Sequence, residues 1–176
     1  PLGYLRIGPL SLTLLMIPVT VGAVVMGPAA GACLGCLFGL TSFAQCFMGD
    51  ILGSVLIAQN VFFTFVVCVA SRTLAGFLCG VVFRAFRTKE KLAPLLVSNL
   101  AGSFLNTALF LGLLALCFWN FTFSPEQAQS LGGVDSALTT VVLLATGINA
   151  PIELAVCGVA GTAVSKAVLK LNSRRV

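Results

Sequence analysis

The chain has 176 residues, of which 59% are hydrophobic and only 9% are charged, and its mean hydropathy is +1.09. Because a soluble domain carries roughly 25% charged residues, this composition excludes a water-soluble globule and predicts an integral membrane protein. The chain contains no His, which removes the commonest acid–base catalyst and the commonest metal ligand. We therefore expect neither an enzyme nor a metal or cofactor site.

At about 20 residues per span, the chain has room for roughly five or six transmembrane helices and no soluble domain. Five apolar segments are long enough, or nearly long enough, to cross a bilayer: residues 10–26, 29–48, 61–83, 94–118 and 151–171. A shorter apolar run over residues 137–148 predicts a re-entrant or interfacial helix. The sequence therefore predicts an all-α membrane bundle that forms a single domain over residues 1–176.

Basic residues mark the expected cytoplasmic side. They cluster after the third span and at the C-terminus: Arg84, Arg87, Lys89, Lys91, Lys166, Lys170, Arg174 and Arg175. Short loops rich in Lys and Arg stay in the cytoplasm, so we expect a multi-pass protein of the cell membrane, with its C-terminus inside and residues 1–9 outside. This topology accounts for most of the net charge of +5, so the charge does not indicate a nucleic-acid partner.

Glycines recur at helical spacing in the second and third spans. The spacing is GxxxG, formed by Gly27, Gly31, Gly35 and Gly39 and repeated by Gly76 and Gly80. Such a ladder lets a neighbouring backbone approach closely. Two interpretations are open: the glycines pack helices within the bundle, or they form a smooth surface on which the protein docks a partner.

Polar side chains inside the predicted spans are the candidate functional groups, because they are costly in lipid unless they are paired or face a wet cavity. In the fourth span Asn99 and Asn106 fall on one helix face, with Thr107 beside it. Hydrogen bonds between helices explain this face as well as a ligand site does. At the start of the last span, Asn149 and Glu153 either cap the helix or contact a ligand.

Two arginines are candidates for binding an anion. Arg72 lies about midway along the third span, between Ser71 and Thr73. Its guanidinium suits a carboxylate, so it either pairs with Glu153 or receives an anionic ligand. Arg6, which precedes the first predicted span, could close over an acidic solute from outside.

Four stretches resemble one family of membrane proteins. They are MIPVTVGAVVMGPAAGACLGCLFGLTS over residues 16–42, ASRTLAGFLCGVVFRAF over 70–86, GSFLNTALFLG over 102–112 and GINAPIELAVCG over 147–158. Together they are similar to the substrate-binding S component of energy-coupling factor (ECF) vitamin transporters, and most similar to its pantothenate-specific branch. The resemblance implies a protein that binds its vitamin from outside and docks on a transmembrane coupling subunit and two ATPase subunits. The chain has no Walker A motif, as expected for a binding subunit that its partners energise.

The resemblance also implies a helix numbering and a set of site residues. S components have six helices with both ends in the cytoplasm, so the five visible spans would be helices two to six and the first helix would be absent. The matched polar positions are Arg72, Asn106, Thr107, Asn149 and Glu153. Arg72, or in second place Arg6, would take the carboxylate of pantothenate. Asn106, Asn149 and Glu153 would hydrogen-bond its hydroxyl and amide groups, and Asn99 is a further candidate on the face of Asn106.

Two alternatives are open at this point. The first keeps the family and changes the ligand to another vitamin or precursor, such as folate, lipoate or a thiamin precursor. The second is a small oligomeric channel or secondary transporter.

Overall fold

The computed structural model describes residues 4–7, 10–13, 15–48, 51–86, 92–118 and 149–172. Within these ranges the chain forms a short hairpin followed by helices. The elements are β1 (Tyr4–Ile7), β2 (Leu10–Thr13), α1 (Met16–Met26), α2 (Pro28–Cys46), α3 (Ile51–Gln59), α4 (Val61–Ala85), α5 (Ala93–Phe118), α6 (Asn149–Val156), a π-helical turn (Cys157–Gly161) and α7 (Thr162–Asn172). The helix α6, the π-helical turn and α7 follow one another without a break, and together they are called the last helix.

Four helical segments of the described chain are long and apolar enough to cross a membrane. They are Pro28–Cys46, Val61–Ala85, Ala93–Phe118 and Glu153–Leu171. At 1.5 Å per residue, the 25 residues of α4 extend about 37 Å, more than the roughly 30 Å of a hydrocarbon core. The predicted all-α membrane bundle is therefore confirmed, and four of its five predicted spans correspond to these segments.

The first predicted span, residues 10–26, is wrong in its first part. The helix there covers only Met16–Met26, about 16 Å in length. Before it, β1 and β2 pair antiparallel, with Tyr4 opposite Thr13 and Ile7 opposite Leu10. The sequence LSLT of β2 alternates apolar and polar residues, a period of two that is typical of a strand and that average hydropathy does not register.

Two further segments differ from the prediction or lie beyond the description. Between the second and third predicted spans, Ile51–Gln59 is the short helix α3. The predicted re-entrant or interfacial helix over residues 137–148 lies outside the described residues.

The glycine ladder joins α2 to α4. A Cβ at Gly31 would overlap the carbonyl oxygen of Gly76, and a Cβ at Gly35 would overlap that of Arg72. A Cβ at Gly39 would lie 2.7 Å from Val69 Cα. Because these backbone atoms occupy the space where side chains would stand, the ladder serves packing within the chain, and the docking-surface interpretation is wrong for these three glycines.

Gly27 makes the turn between α1 and α2 possible. Its φ of 101° lies in the region that other residues rarely adopt, and its N–H donates to Ala23 O at 3.1 Å. Pro28 then starts α2, a position where its missing N–H costs nothing. A Cβ at Gly27 would lie 2.9 Å from Arg84 Nη2. The end of the bundle that carries Arg84, Lys166 and Lys170 is hereafter the basic end.

The buried apolar side chains form two clusters. In the first, Met16 and Val19 of α1 meet Phe38, Ala75 and Cys157. In the second, side chains of α3, α4 and α5 meet away from the basic end: Val55, Leu56, Val67, Leu114 and Phe118. Arg72 and Phe110 lie between these two clusters along α4 and α5, so both clusters help to fix the relative position of the helices at that level.

Candidate functional site

The helix α4 carries Arg72 into the middle of the bundle. The helix begins after Asn60, whose side-chain oxygen accepts a hydrogen bond from the N–H of Phe63 at 3.1 Å and so caps it. Arg72 lies about halfway along the 25 residues that follow. It is half-buried, at a depth where a charged side chain is costly unless other groups compensate it.

Backbone, hydroxyl and aromatic groups surround the Arg72 guanidinium. Its Nη1 donates to the carbonyl oxygen of Cys68 at 3.2 Å and to Ser71 Oγ at 3.3 Å. Its Cζ lies over the ring of Phe38 at 4.9 Å from the centroid and over the ring of Phe110 at 5.1 Å. Both distances are within the range of a cation–π interaction. Nε is buried and has no hydrogen-bond acceptor in the described part of the chain.

The structure bears on the first of the two interpretations of Arg72, the internal pair with Glu153. Glu153 carries the one carboxylate side chain among the described residues, and the acceptors that Arg72 finds there are the Cys68 carbonyl and the Ser71 hydroxyl, not that carboxylate. Glu153 instead lies one turn before Cys157, close enough for an electrostatic interaction with that side chain. The internal Arg72–Glu153 pair is therefore not formed in this structure.

Asn106, Thr107 and Glu153 lie within about one helical turn of the level of Arg72 along the bundle axis. The last helix packs on α5 with a Cβ at Gly161 placed 2.5 Å from Asn99 Oδ1 and a Cβ at Gly158 placed 2.6 Å from Leu100 Cδ2, so the two helices run antiparallel. Glu153 lies one turn before Cys157 in the last helix, further from the basic end. The antiparallel register therefore places it at the height of Asn106 and Thr107 of α5. Phe110, the next turn of α5, contacts Arg72. Three helices thus bring polar residues to one level.

The two α5 residues at this level differ in their hydrogen bonds. Asn106 is buried, and its Oδ1 has no donor within the described chain. The Thr107 hydroxyl donates to the carbonyl oxygen of Ser103 at 3.4 Å. Asn149 is the first residue of α6, as predicted for the start of the last helix. The level therefore offers a cation, an unsatisfied amide oxygen, a hydroxyl and a carboxylate.

Asn99 lies apart from this group. It is seven residues nearer the basic end than Asn106, about 10 Å along the axis of α5. Its Nδ2 donates to Leu95 O at 2.7 Å. Its Oδ1 lies against Gly161 and, like that of Asn106, has no donor within the described chain. The structure therefore groups Asn99 with Gly161 and not with Arg72.

Arg6 lies in β1, where it pairs with Ser11 of β2. The strand β2 contacts α6, the helix that carries Asn149 and Glu153. The hairpin is therefore next to the end of the bundle at which α6 begins.

Comparison with known proteins assigns the family. Residues 2–160 match the family model described as the ECF transporter, substrate-specific component. The chain belongs to this family. No curated protein matches the chain. As an ECF S component it is a multi-pass membrane subunit that binds substrate and is not an enzyme. Proteins of this family work with ECF coupling and ATPase subunits and take a vitamin-type substrate. This assignment favours the transporter subunit over the oligomeric channel.

Two aromatic residues that contact Arg72 in this S component were not predicted from the sequence. Phe38 and Phe110 contact the guanidinium from α2 and α5. Phe110 follows Asn106 by four residues, which places both on one face of α5, so helical spacing could have indicated it. Nothing in the sequence relates Phe38 to Arg72, because that contact depends on the register between α2 and α4.

Proposed function

We propose that this S component binds pantothenate at the level of Arg72 and delivers it to the cytoplasm together with its coupling and ATPase partners. The observation that carries the proposal is Arg72, a cation within the membrane bundle that no carboxylate of the described chain neutralises. A charged side chain within a membrane is expensive unless another group compensates it. An anionic ligand would supply the missing charge and an acceptor for the Nε–H, through hydrogen bonds of the strong, charge-assisted kind.

The neighbouring groups support a ligand with more than a carboxylate. Pantothenate carries one carboxylate, two hydroxyls and one amide. The unsatisfied Asn106 Oδ1 would accept a hydrogen bond from a hydroxyl or an amide N–H of the ligand. Thr107 and Glu153 lie at the same level, and Asn149 lies one turn further from the basic end. A thiamin precursor, which lacks a carboxylate, would leave Arg72 without its partner.

The orientation of the chain is part of the proposal. The basic end carries the exposed residues Arg84, Lys166 and Lys170, and such clusters stay in the cytoplasm. The C-terminus would then be cytoplasmic, and the start of α6 and the hairpin would face outward. A ligand arriving from outside would meet Asn149 and Glu153 before it reached Arg72.

Equilibrium binding of radiolabelled pantothenate to the detergent-purified protein tests the proposal. Folate, lipoate and a thiamin precursor serve as competitors. Arg72→Gln should weaken binding by about 10- to 150-fold, since a hydrogen bond to a charged group contributes about 1.5–3 kcal/mol. Arg84→Gln, an exposed arginine on the same helix, is the matched control and should bind as the wild type does. Direct binding of labelled folate, lipoate or thiamin precursor in the absence of pantothenate binding would change the substrate, and an unaffected Arg72→Gln would refute the role of Arg72.

A further inference from the structure

Some of the hydrogen-bond donors of Arg72 bind protein groups, and others are left for a ligand. A guanidinium has five N–H donors. Those of Nη1 point to the carbonyl oxygen of Cys68 and to Ser71 Oγ, and the Ser71 hydroxyl in turn donates to Val67 O. Nε is buried without an acceptor in the described chain, and the two hydrogen bonds of the guanidinium there both come from Nη1. The unused donors are therefore Nε–H and Nη2–H, which lie side by side on one edge.

This edge has the geometry that a carboxylate requires. Two parallel N–H groups of a guanidinium match the two oxygens of a carboxylate in a bidentate pair. Nε is buried, so a carboxylate that paired with this edge would be removed from water. Its interaction with the guanidinium is stronger inside the protein than in water. An alcohol has one oxygen and no charge, so it cannot form the same pair.

Two aromatic rings from neighbouring helices contact the guanidinium. Phe38 comes from α2 and Phe110 from α5, so neither ring belongs to the helix that carries Arg72. Phe38 stands between Gly35 and Gly39, the positions at which α2 meets the backbone of α4 at Arg72 and Val69. The close approach of the two helices therefore holds the Phe38 ring near the guanidinium. Phe38 is almost fully buried, which leaves it little freedom to turn away.

We propose that Phe38 and Phe110 are positioning residues that hold the Arg72 guanidinium with its Nε–Nη2 edge toward the ligand, and that they thereby select a carboxylate over an uncharged group. The inference rests on the proposed function and deepens it, since it defines the substrate class as a monocarboxylate. Without the rings, the side chain gains rotational freedom and the edge is no longer preorganised. The remainder of the ligand would still bind to the amide and hydroxyl groups of α5.

The test compares the affinities for pantothenate and for panthenol, which has an alcohol in place of the carboxylate. Phe110→Leu and Phe38→Leu should each weaken pantothenate binding by about 2- to 30-fold, the range of a cation–π interaction. Panthenol binding should stay within about twofold of wild type. Phe110→Tyr, which keeps the aromatic face, should preserve the ratio of the two affinities. Phe104→Leu, an exposed ring on the same helix, is the control and should leave the ratio unchanged.

The outcomes separate the two proposals. If the wild type binds pantothenate but Phe110→Leu and Phe38→Leu weaken both ligands equally, or neither, the positioning role is overturned and the substrate assignment stands. If the wild type binds lipoate in place of pantothenate, the same ratio is measured with lipoate and lipoamide. If the wild type binds no carboxylate ligand, both proposals fail. Should the Leu variants at these positions not fold, Phe110→Tyr and Arg72→Lys supply the test: the first should keep the ratio, and the second, which lacks the two-donor edge, should reduce it.

Discussion

Gly35→Ala tests most directly the helix contact on which the site geometry depends. An added Cβ would overlap the carbonyl group of Arg72 and lie 3.1 Å from Thr73 Cα. Both neighbours are backbone atoms, which cannot rotate away as a side chain can. The helices α2 and α4 must therefore separate by about 1 Å to accommodate the methyl group. Phe38, one turn along α2, would move away from the guanidinium with its helix.

Two opposing effects determine the size of the change. Ala is a better helix former than Gly by about 1 kcal/mol, whereas overpacking a close contact costs about 1–3 kcal/mol. The overlap involves backbone, so its relief requires a whole helix to move, and the cost lies in the upper part of that range. We expect a net destabilisation of about 1–2 kcal/mol, which corresponds to a Tm lower by about 2–8 °C.

Thermal unfolding in detergent measures this change through the buried thiols. Cys68, Cys79 and Cys157 are buried thiols that form no disulfide, so a fluorogenic maleimide reacts with them as the protein unfolds. Gly112→Ala is the matched control, because a Cβ at Gly112 meets nothing within 4 Å, and its Tm should be unchanged or raised. Pantothenate affinity should fall in Gly35→Ala and not in the control. Equal Tm values for the two variants would refute the α2–α4 contact as the feature that positions Phe38.

Two further predictions concern the depth of the site and the orientation of the chain. Asn106→Leu should weaken pantothenate binding by about 2- to 12-fold, the value of one hydrogen bond. Asn99→Leu, whose side chain lies about 10 Å nearer the basic end, should change the affinity by less than about twofold. Equilibrium binding measures both affinities, and a larger loss for Asn99→Leu would contradict the proposed level of the site. Lys170→Cys, at an exposed position of α7, should react with a membrane-impermeant maleimide in inside-out vesicles and not in intact cells, with the wild type as the labelling control. Labelling from outside would invert the proposed topology.

The long helices could be predicted from the sequence because each has a long apolar run and few other structures bury such a run. The predicted span over residues 61–83 became Val61–Ala85, and that over 94–118 became Ala93–Phe118. The prediction of one span over residues 10–26 failed because a strand of four residues and a helix of 11 residues together form one apolar run. A window of about 19 residues averages over both.

Which residues belong to the site was harder to predict from the sequence than the kinds of groups that it contains. Asn99 and Asn106 share a helix face, but a face extends along the whole membrane thickness, and only the register against Gly161 shows that Asn99 lies at another depth. The rings at Arg72 belong to α2 and α5. Their contacts depend on how closely the helices approach, which the spacing of residues within one helix does not specify.

The absence of an Arg72–Glu153 pair in this structure bears on how tightly the proposed ligand can bind. Breaking a buried ion pair costs about 3–5 kcal/mol because it leaves an uncompensated charge. A site in which Glu153 already neutralised Arg72 would require an incoming carboxylate to meet that cost before it gained the same interaction. Here the Cys68 carbonyl, the Ser71 hydroxyl and two aromatic rings compensate the guanidinium in part, and they leave its Nε–H without an acceptor. A carboxylate therefore adds an interaction that the described residues do not provide, and it displaces none. On this reasoning Glu153→Gln should weaken pantothenate binding through the loss of one hydrogen bond alone, by about 2- to 12-fold, less than Arg72→Gln does. Tighter pantothenate binding by Glu153→Gln would indicate that the pair forms in the ligand-free protein and competes with the ligand.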